Sequence, residues 1–263
     1  MATQTAGDLL RHWRTTRRLS QLELAGRAET STRHLSFIET GRATPSRAML
    51  LHLADELDIP LRERNRMLLA AGYAPVYTEP ALDNPAMAPI RTVLRQVLTG
   101  HEPHPALAVD ANWNMVDANA GIALFLDGVD PALLTQPINA LRLSLHPDGL
   151  APRITNLPEW RGHILERLQR QIDVSGAPEL TALRDELRAY PGGEEHPGLP
   201  DPDQAVVPLR LRLDGHDLSL ISITTVFGTP MNVTVAELAI EAFFPADPAT
   251  ATLLRDRIAV TAE

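Results

Sequence analysis

The sequence predicts two folded parts of different class. An all-α domain of five short helices occupies residues 1–75, and an α+β domain with an antiparallel sheet occupies residues 90–263. Three observations lead there. From Ala6 to Gly72, apolar residues recur at helical spacing between capping signals. Pro75, Pro80, Pro85 and Pro89 then mark a proline-rich linker, residues 76–89, with the composition of a semi-rigid spacer. Beyond Ile90, helical stretches alternate with short strands and end in two alternating runs around Asp214-Gly215, a strong hairpin turn.

Taken in order, Leu9, Leu10 and Trp13 stripe a first helix that ends near Arg17-Arg18. Ser20-Gln21-Leu22-Glu23 is a capping box: the Ser20 hydroxyl accepts from the Glu23 amide and the Glu23 carboxylate reaches back. The second helix that starts there buries Leu24, Ala25 and Ala28. About three residues, Glu29 to Ser31, separate it from a third helix with Ser31 as N-cap, Leu35 and Ile38 inside, and Gly41 at its C-terminus. Two short helices joined by so short a turn have the geometry of a helix-turn-helix. Pro45-Ser46 opens a fourth helix carrying Leu50, Leu53, Ala54 and Leu57, and Pro60 lies at or near the start of a fifth.

In the second part, Ile90 to Leu98, Ala120 to Leu126, Trp160 to Ile172, Glu179 to Ala189 and Pro248 to Val260 read as helices. Ala106 to Val109, Met115 to Ala118, Val206 to Leu213, Asp217 to Val226 and Val235 to Phe244 read as strands. The arrangement predicts a five-stranded antiparallel sheet with helices on one side. Its apolar face would carry Leu209, Leu211, Leu213, Leu218, Leu220, Ile221 and Ile223. Pro191 to Pro202 reads as a flexible loop.

The net charge of −9 divides unevenly. Residues 1–75 hold 11 Arg against 8 Asp or Glu, net +3; the remaining residues hold 13 against 25, net −12. The first part can approach a phosphate backbone and the second should avoid it. The absence of Cys excludes disulfides, thiolate metal sites and cysteine nucleophiles. No charged start precedes an apolar run, and no uncharged run approaches about 18 residues, so a soluble cytoplasmic protein without a membrane partner is expected.

Successive helical residues lie about 100° apart. With Leu35 and Ile38 inward, the third helix therefore exposes Thr32, Arg33, Ser36 and Phe37. Arg can donate twice to guanine, Ser and Thr bond several base edges, and an aromatic ring can meet a thymine methyl. An exposed Phe37 is costly unless it meets something; the alternative is packing against the fourth helix or the second domain. Gln21, Arg42 and Arg47 flank this helix, where they can hold phosphates and fix register.

Arg14, Ser20-Gln21, Leu24-Ala25, the run Ser31 to Gly41 and Pro45 resemble the helix-turn-helix of phage repressors and the XRE family. The resemblance implies that Gln21 caps a DNA-backbone contact, that Thr32, Arg33 and Phe37 face bases, and that Arg14 and Glu39 form a buried ion pair. Residues 90–250 resemble the MmyB-like regulator ligand-binding domain, through His104 to Asn119, Trp160, Glu179 to Tyr190, Thr224 to Pro230 and Val233 to Asp247. Asn232 stands where that family usually has Asp. This resemblance implies a PAS-like sheet around a hydrophobic cavity and, in some members, a bound fatty-acid-like ligand. Trp113, Met115, Phe125, Trp160, Ile164 and Phe227 are the candidate lining residues, though each would serve equally in an ordinary core.

His101 and His104 are separated by a proline, and His146, His163 and His216 are isolated, so neither a metal nor a haem is expected. No phosphate loop, nucleophile elbow or paired-carboxylate motif marks an enzyme. The expectation is a regulator with no obligate cofactor: a homodimer on a double-stranded DNA operator, responding to a small apolar effector. The alternative is a regulator or antitoxin whose second domain serves only dimerisation or protein interaction.

Overall fold

The computed structural model describes residues 4–192 and 206–261. Contacts divide the chain into two compact units, Met1–Glu79 with Pro230–Ala236, and Pro80–Thr229 with Glu237–Glu263. Most of the expected Pro191 to Pro202 loop lies outside the described residues.

The first unit begins with α1 (Ala6–Thr16), α2 (Gln21–Arg27), α3 (Thr32–Glu39), α4 (Arg47–Glu56) and α5 (Leu61–Ala70). Capping sets these bounds. Thr5 and Ser20 each complete a reciprocal capping box, and the Ser31 and Ser46 hydroxyls accept from the amides of His34 and Met49. Leu10, Trp13, Leu24, Leu35, Ile38, Leu50 and Leu53 form the dry centre. Gly7 is where α1 meets the end of α3: a Cβ there would lie 2.4 Å from the Ile38 carbonyl oxygen. Gly41, with φ +72°, takes the left-handed position that ends α3.

The second unit holds α6 (Ala88–Gly100), β1 (Ala106–Val109), β2 (Met115–Ala118), α7 (Ala123–Leu126), α8 (Ala140–Leu145), α9 (Leu157–Ser175), α10 (Pro178–Ala189), β3 (Leu209–Leu213) and β4 (His216–Val226). After α11 (Val233–Ala236), it continues with β5 (Ala239–Pro245) and α12 (Pro248–Thr261). The strands form one antiparallel sheet in the order β2-β1-β5-β4-β3, the PAS-like sheet that the resemblance implies.

Helices cover both faces of this sheet, whereas the sequence suggested one. Leu107 and Val109 of β1 face the large core beneath α7 to α10, while Ala106 and Ala108 face Leu94 and Leu98 of α6. All four β1 residues are buried, as expected for a central strand with no polar alternation. The same alternation corrects the expected face of β4. Leu218 and Leu220 enter the large core, but Ile221 is only half-buried and Ile223 is 49% exposed on the opposite side. Two further boundaries differ. β3 starts only after Pro208, which cannot donate to the sheet ladder, and the expected strand from Val235 begins as the short helix α11.

The segment 230–236 between β4 and β5 is built into the first unit. Asn232 pairs there with Thr78: its side-chain amide donates to Thr78 Oγ1 at 3.0 Å, and the Val233 amide donates to the Thr78 carbonyl at 2.9 Å. Asn65 of α5 anchors the neighbouring chain, accepting from the Val76 and Tyr77 amides and donating to the Tyr77 carbonyl. Residues 76–79 are thus held by specific hydrogen bonds.

Candidate functional site

In the first unit, the surface of α3 is positioned by a charged network beneath it. The Glu39 side chain is fully buried, and Arg14 grips it through Nε at 2.6 Å and Nη2 at 3.0 Å. Gln21 Nε2 donates to the same carboxylate at 2.8 Å, and Arg11 Nε stands 3.6 Å away. Arg14 also donates to the Leu19 carbonyl at the entry to α2, so one guanidinium ties together α1, the α2 entry and α3. Burial alone would raise the Glu39 carboxyl pKa. The hydrogen bonds from Arg14 and Gln21, with the charges of Arg14 and Arg11, outweigh burial and hold it below the usual range. The same pairing raises the Arg14 pKa.

Outward, α3 presents Arg33 exposed, with Thr32, Ser36 and Phe37 half-buried beside it. Phe37 is not among the residues packed on the helical core. Two cations lie over its ring, the Arg33 guanidinium at 5.3 Å and that of Arg42 at 6.0 Å. This explains how a partly exposed aromatic is tolerated without a partner helix. Arg42 and Arg47 are both exposed, Arg47 at the first position of α4. Gln21 stands at the first position of α2, its side chain committed on one side to Glu39. Arg33, Ser36, Phe37 and Arg42 therefore share one surface, flanked by helix N-termini whose free amides attract anions.

In the second unit, a cavity of about 60 Å3, partly open to solvent, lies between the sheet and the helices α7, α8 and α9. That is several times the roughly 10–15 Å3 that one water needs, so the core is hollow at this point. Five of the six expected residues line it: Trp113, Met115, Phe125, Trp160 and Ile164. Phe227 does not; it packs with Leu94, Leu98 and Ile240 on the α6 side of the sheet. Leu107, Ile122, Leu141, Leu143, Leu209 and Phe243 extend the apolar wall, and Ser144, Arg167 and Glu241 supply the polar groups.

Trp113 is held unusually. It takes a left-handed φ of +66° in the β1–β2 turn, where Asp110 Oδ1 accepts from the amides of Asn112 and Asn114. Its indole N–H donates to Gln171 at 2.8 Å, and Gln171 in turn donates to the Ala111 carbonyl. The ring thereby lies 4.4 Å from the centre of the Arg167 guanidinium. Trp160 donates to Ser144 Oγ at 3.0 Å and stacks on His163, whose imidazole pKa is lowered by burial and by the charges of Arg167 and Arg170. These bonds fix both indoles without spending them on solvent.

Sequence reasoning missed Arg167 and Glu241. Trp160, Ile164, Arg167 and Gln171 follow the i, i+4, i+7, i+11 spacing of one helix face, a signal that could have found Arg167. Glu241 alternates with Phe243 on the same face of β5. The α8 wall was missed because six residues are too short for a readable period. Among the described residues, no group of three or more His, Asp or Glu is placed to hold a metal, and no helix is long and apolar enough to cross a membrane.

Comparison with known families bears on both units. No curated protein sequence matches the chain significantly. A family model described as a helix-turn-helix domain matches residues 5–67, which contain the charged network and α3. The family model described as the MmyB-like transcription regulator ligand binding domain matches residues 90–256, more than half of the chain and the whole cavity wall. The chain belongs to this family, as a DNA-binding transcription regulator with a helix-turn-helix ahead of its ligand-binding domain.

Proposed function

We propose that the protein acts in the cytoplasm as a homodimer on a partly palindromic operator, under the control of a small apolar, fatty-acid-like effector held in the cavity. The observation that carries this reading is the cavity itself: an apolar hollow with two locked indoles and a few convergent polar groups, within the ligand-binding domain. A packed dimerisation module has no need of such a hollow. One helix-turn-helix unit offers few base contacts, and two on one duplex multiply affinity, which favours the dimer.

Chain connectivity supports a route for control. Glu241 and Phe243 of β5 line the cavity, and Thr224 of β4 bonds Glu241. The segment that joins these two strands, 230–236, is built into the DNA-binding unit against α5 and Thr78. A ligand that favours one setting of β4 and β5 therefore biases where that segment is held.

Native mass spectrometry with organic extraction tests the proposal. The purified full-length protein should retain an apolar molecule, or take one up with a rise in Tm, and Ile164→Trp, which fills the cavity, should do neither. A wild type that neither retains nor takes up any apolar molecule would overturn the effector reading, and a strictly monomeric protein with and without DNA would overturn the dimer.

A further inference from the structure

The polar end of the cavity narrows the chemistry of the effector. Arg167 and Glu241 form a two-point ion pair, with Nη1 at 2.9 Å from Oε1 and Nη2 at 2.6 Å from Oε2. Arg167 Nη2 also donates to Thr224 Oγ1, and that hydroxyl donates to Glu241 Oε2 at 3.0 Å. The Glu241 side chain is 7% exposed and that of Arg167 22%. The positive charge that could attract an anion is thus already neutralised, by a carboxylate that itself lines the cavity. A second carboxylate would meet Glu241 in a poorly solvated space, where like charges repel far more strongly than in water.

The guanidinium still has something to offer. It carries five N–H donors, of which three are spent on Glu241 and Thr224. The Trp113 ring 4.4 Å away covers one side of it and supplies a flat apolar wall. What remains is a neutral donor site at the end of an apolar hollow.

We propose that Arg167, Glu241, Thr224 and Trp113 select an uncharged amphipathic ligand, an alkyl chain ending in an ester, amide or lactone carbonyl, over the corresponding free carboxylate. The proposal rests on the reading of this cavity as the effector site and narrows it to neutral derivatives. The carbonyl oxygen accepts from Arg167 while the ion pair stays intact, and the chain lies among Phe125, Trp160 and Ile164. Removing the Glu241 charge should reverse the preference, because the unpaired guanidinium then seeks an anion.

The test compares decanoate, its methyl ester and decanamide by calorimetry on the full-length protein at about pH 8, where the acid is ionised. The wild type should bind the neutral compounds at least about 10-fold more tightly than decanoate, equivalent to about 1.4 kcal/mol. Glu241→Gln should bind decanoate more tightly than either neutral compound. Equal affinities, or tighter binding of decanoate by the wild type, would overturn the selectivity while leaving the cavity as an effector site. Should the variant fail to fold, the wild-type comparison and the head group of any extracted molecule decide alone, a retained carboxylate counting against the proposal. Failure of every apolar compound to bind would overturn the effector site and this inference with it.

Discussion

Replacing Arg14 with Met keeps the apolar stem of the side chain and deletes the guanidinium that holds Glu39. The Glu39 carboxylate would retain one hydrogen bond from Gln21 and the charge of Arg11, whose side chain is 49% exposed. Breaking one side of a buried ion pair costs roughly 3–5 kcal/mol. A half-exposed arginine returns at most about 1 kcal/mol, and protonation of Glu39 relieves part of the rest. The expected loss at neutral pH is therefore about 2–4 kcal/mol. For a domain of this size each kcal/mol lowers the midpoint by roughly 4–8 °C, so the helical unit should melt at least about 8 °C lower. The pH dependence carries the sharper sign. In the wild type the Glu39 pKa is depressed on folding, so its contribution is present above the ordinary carboxyl range and is lost as pH falls through the folded value. In Arg14→Met, burial is no longer outweighed and the folded pKa rises, so the penalty shrinks as acid protonates Glu39. Urea unfolding followed by hydrogen exchange at the amides of Leu35 and Ile38 reads this unit within the intact chain. A loss under about 1 kcal/mol, or one that stays constant from pH 7 to pH 4, would refute the role given to the pair.

Further perturbations test other parts of the account. Arg33→Ala should lower affinity for the preferred operator by roughly 1–3 kcal/mol and relax choice at one base pair, read by selection from a random DNA pool. Arg47→Ala should weaken all sequences alike and reduce the salt slope of binding by about 1, as fluorescence anisotropy at several salt concentrations would show. Asn65→Ala removes three hydrogen bonds that pin residues 76 and 77, and should destabilise the helical unit by about 2–3 kcal/mol while speeding amide exchange there. Trp160→Ala should cost roughly 3–5 kcal/mol in the second unit, with part of that loss recovered on adding an apolar ligand that fills the vacated space.

The helical unit was legible because its signals are local. Ser20 to Glu23 and Ser31 announce helix starts, Gly41 announces a helix end, and the 3.6-residue period sorts Leu35 from Arg33 without any distant information. The Arg14 and Glu39 pairing came from the resemblance, since 25 residues separate the two and no local pattern joins them. The fate of Phe37 depended on two arginines: Arg33, a turn away on the same face, and Arg42 beyond the helix, which a helical wheel does not contain. In the second domain, strand alternation placed Leu209, Leu211, Leu213, Leu218 and Leu220 in the core but assigned Ile221 and Ile223 to the wrong face, because leucine and isoleucine stand on both parities of β4. Phe227, just past that strand, packs on the α6 side together with Ile240 and Ala242, away from the cavity. Arg167 and Glu241 lie 74 residues apart, and only the sheet brings them together.

The central claim is that cavity occupancy sets DNA affinity. It is tested most directly by measuring the operator affinity of the full-length protein, stripped of ligand and then loaded, beside the cavity-filled Ile164→Trp variant. A several-fold change on loading in the wild type and none in the variant is the result expected. Identical affinities for stripped and loaded wild type, with the ligand shown to be bound, would contradict it.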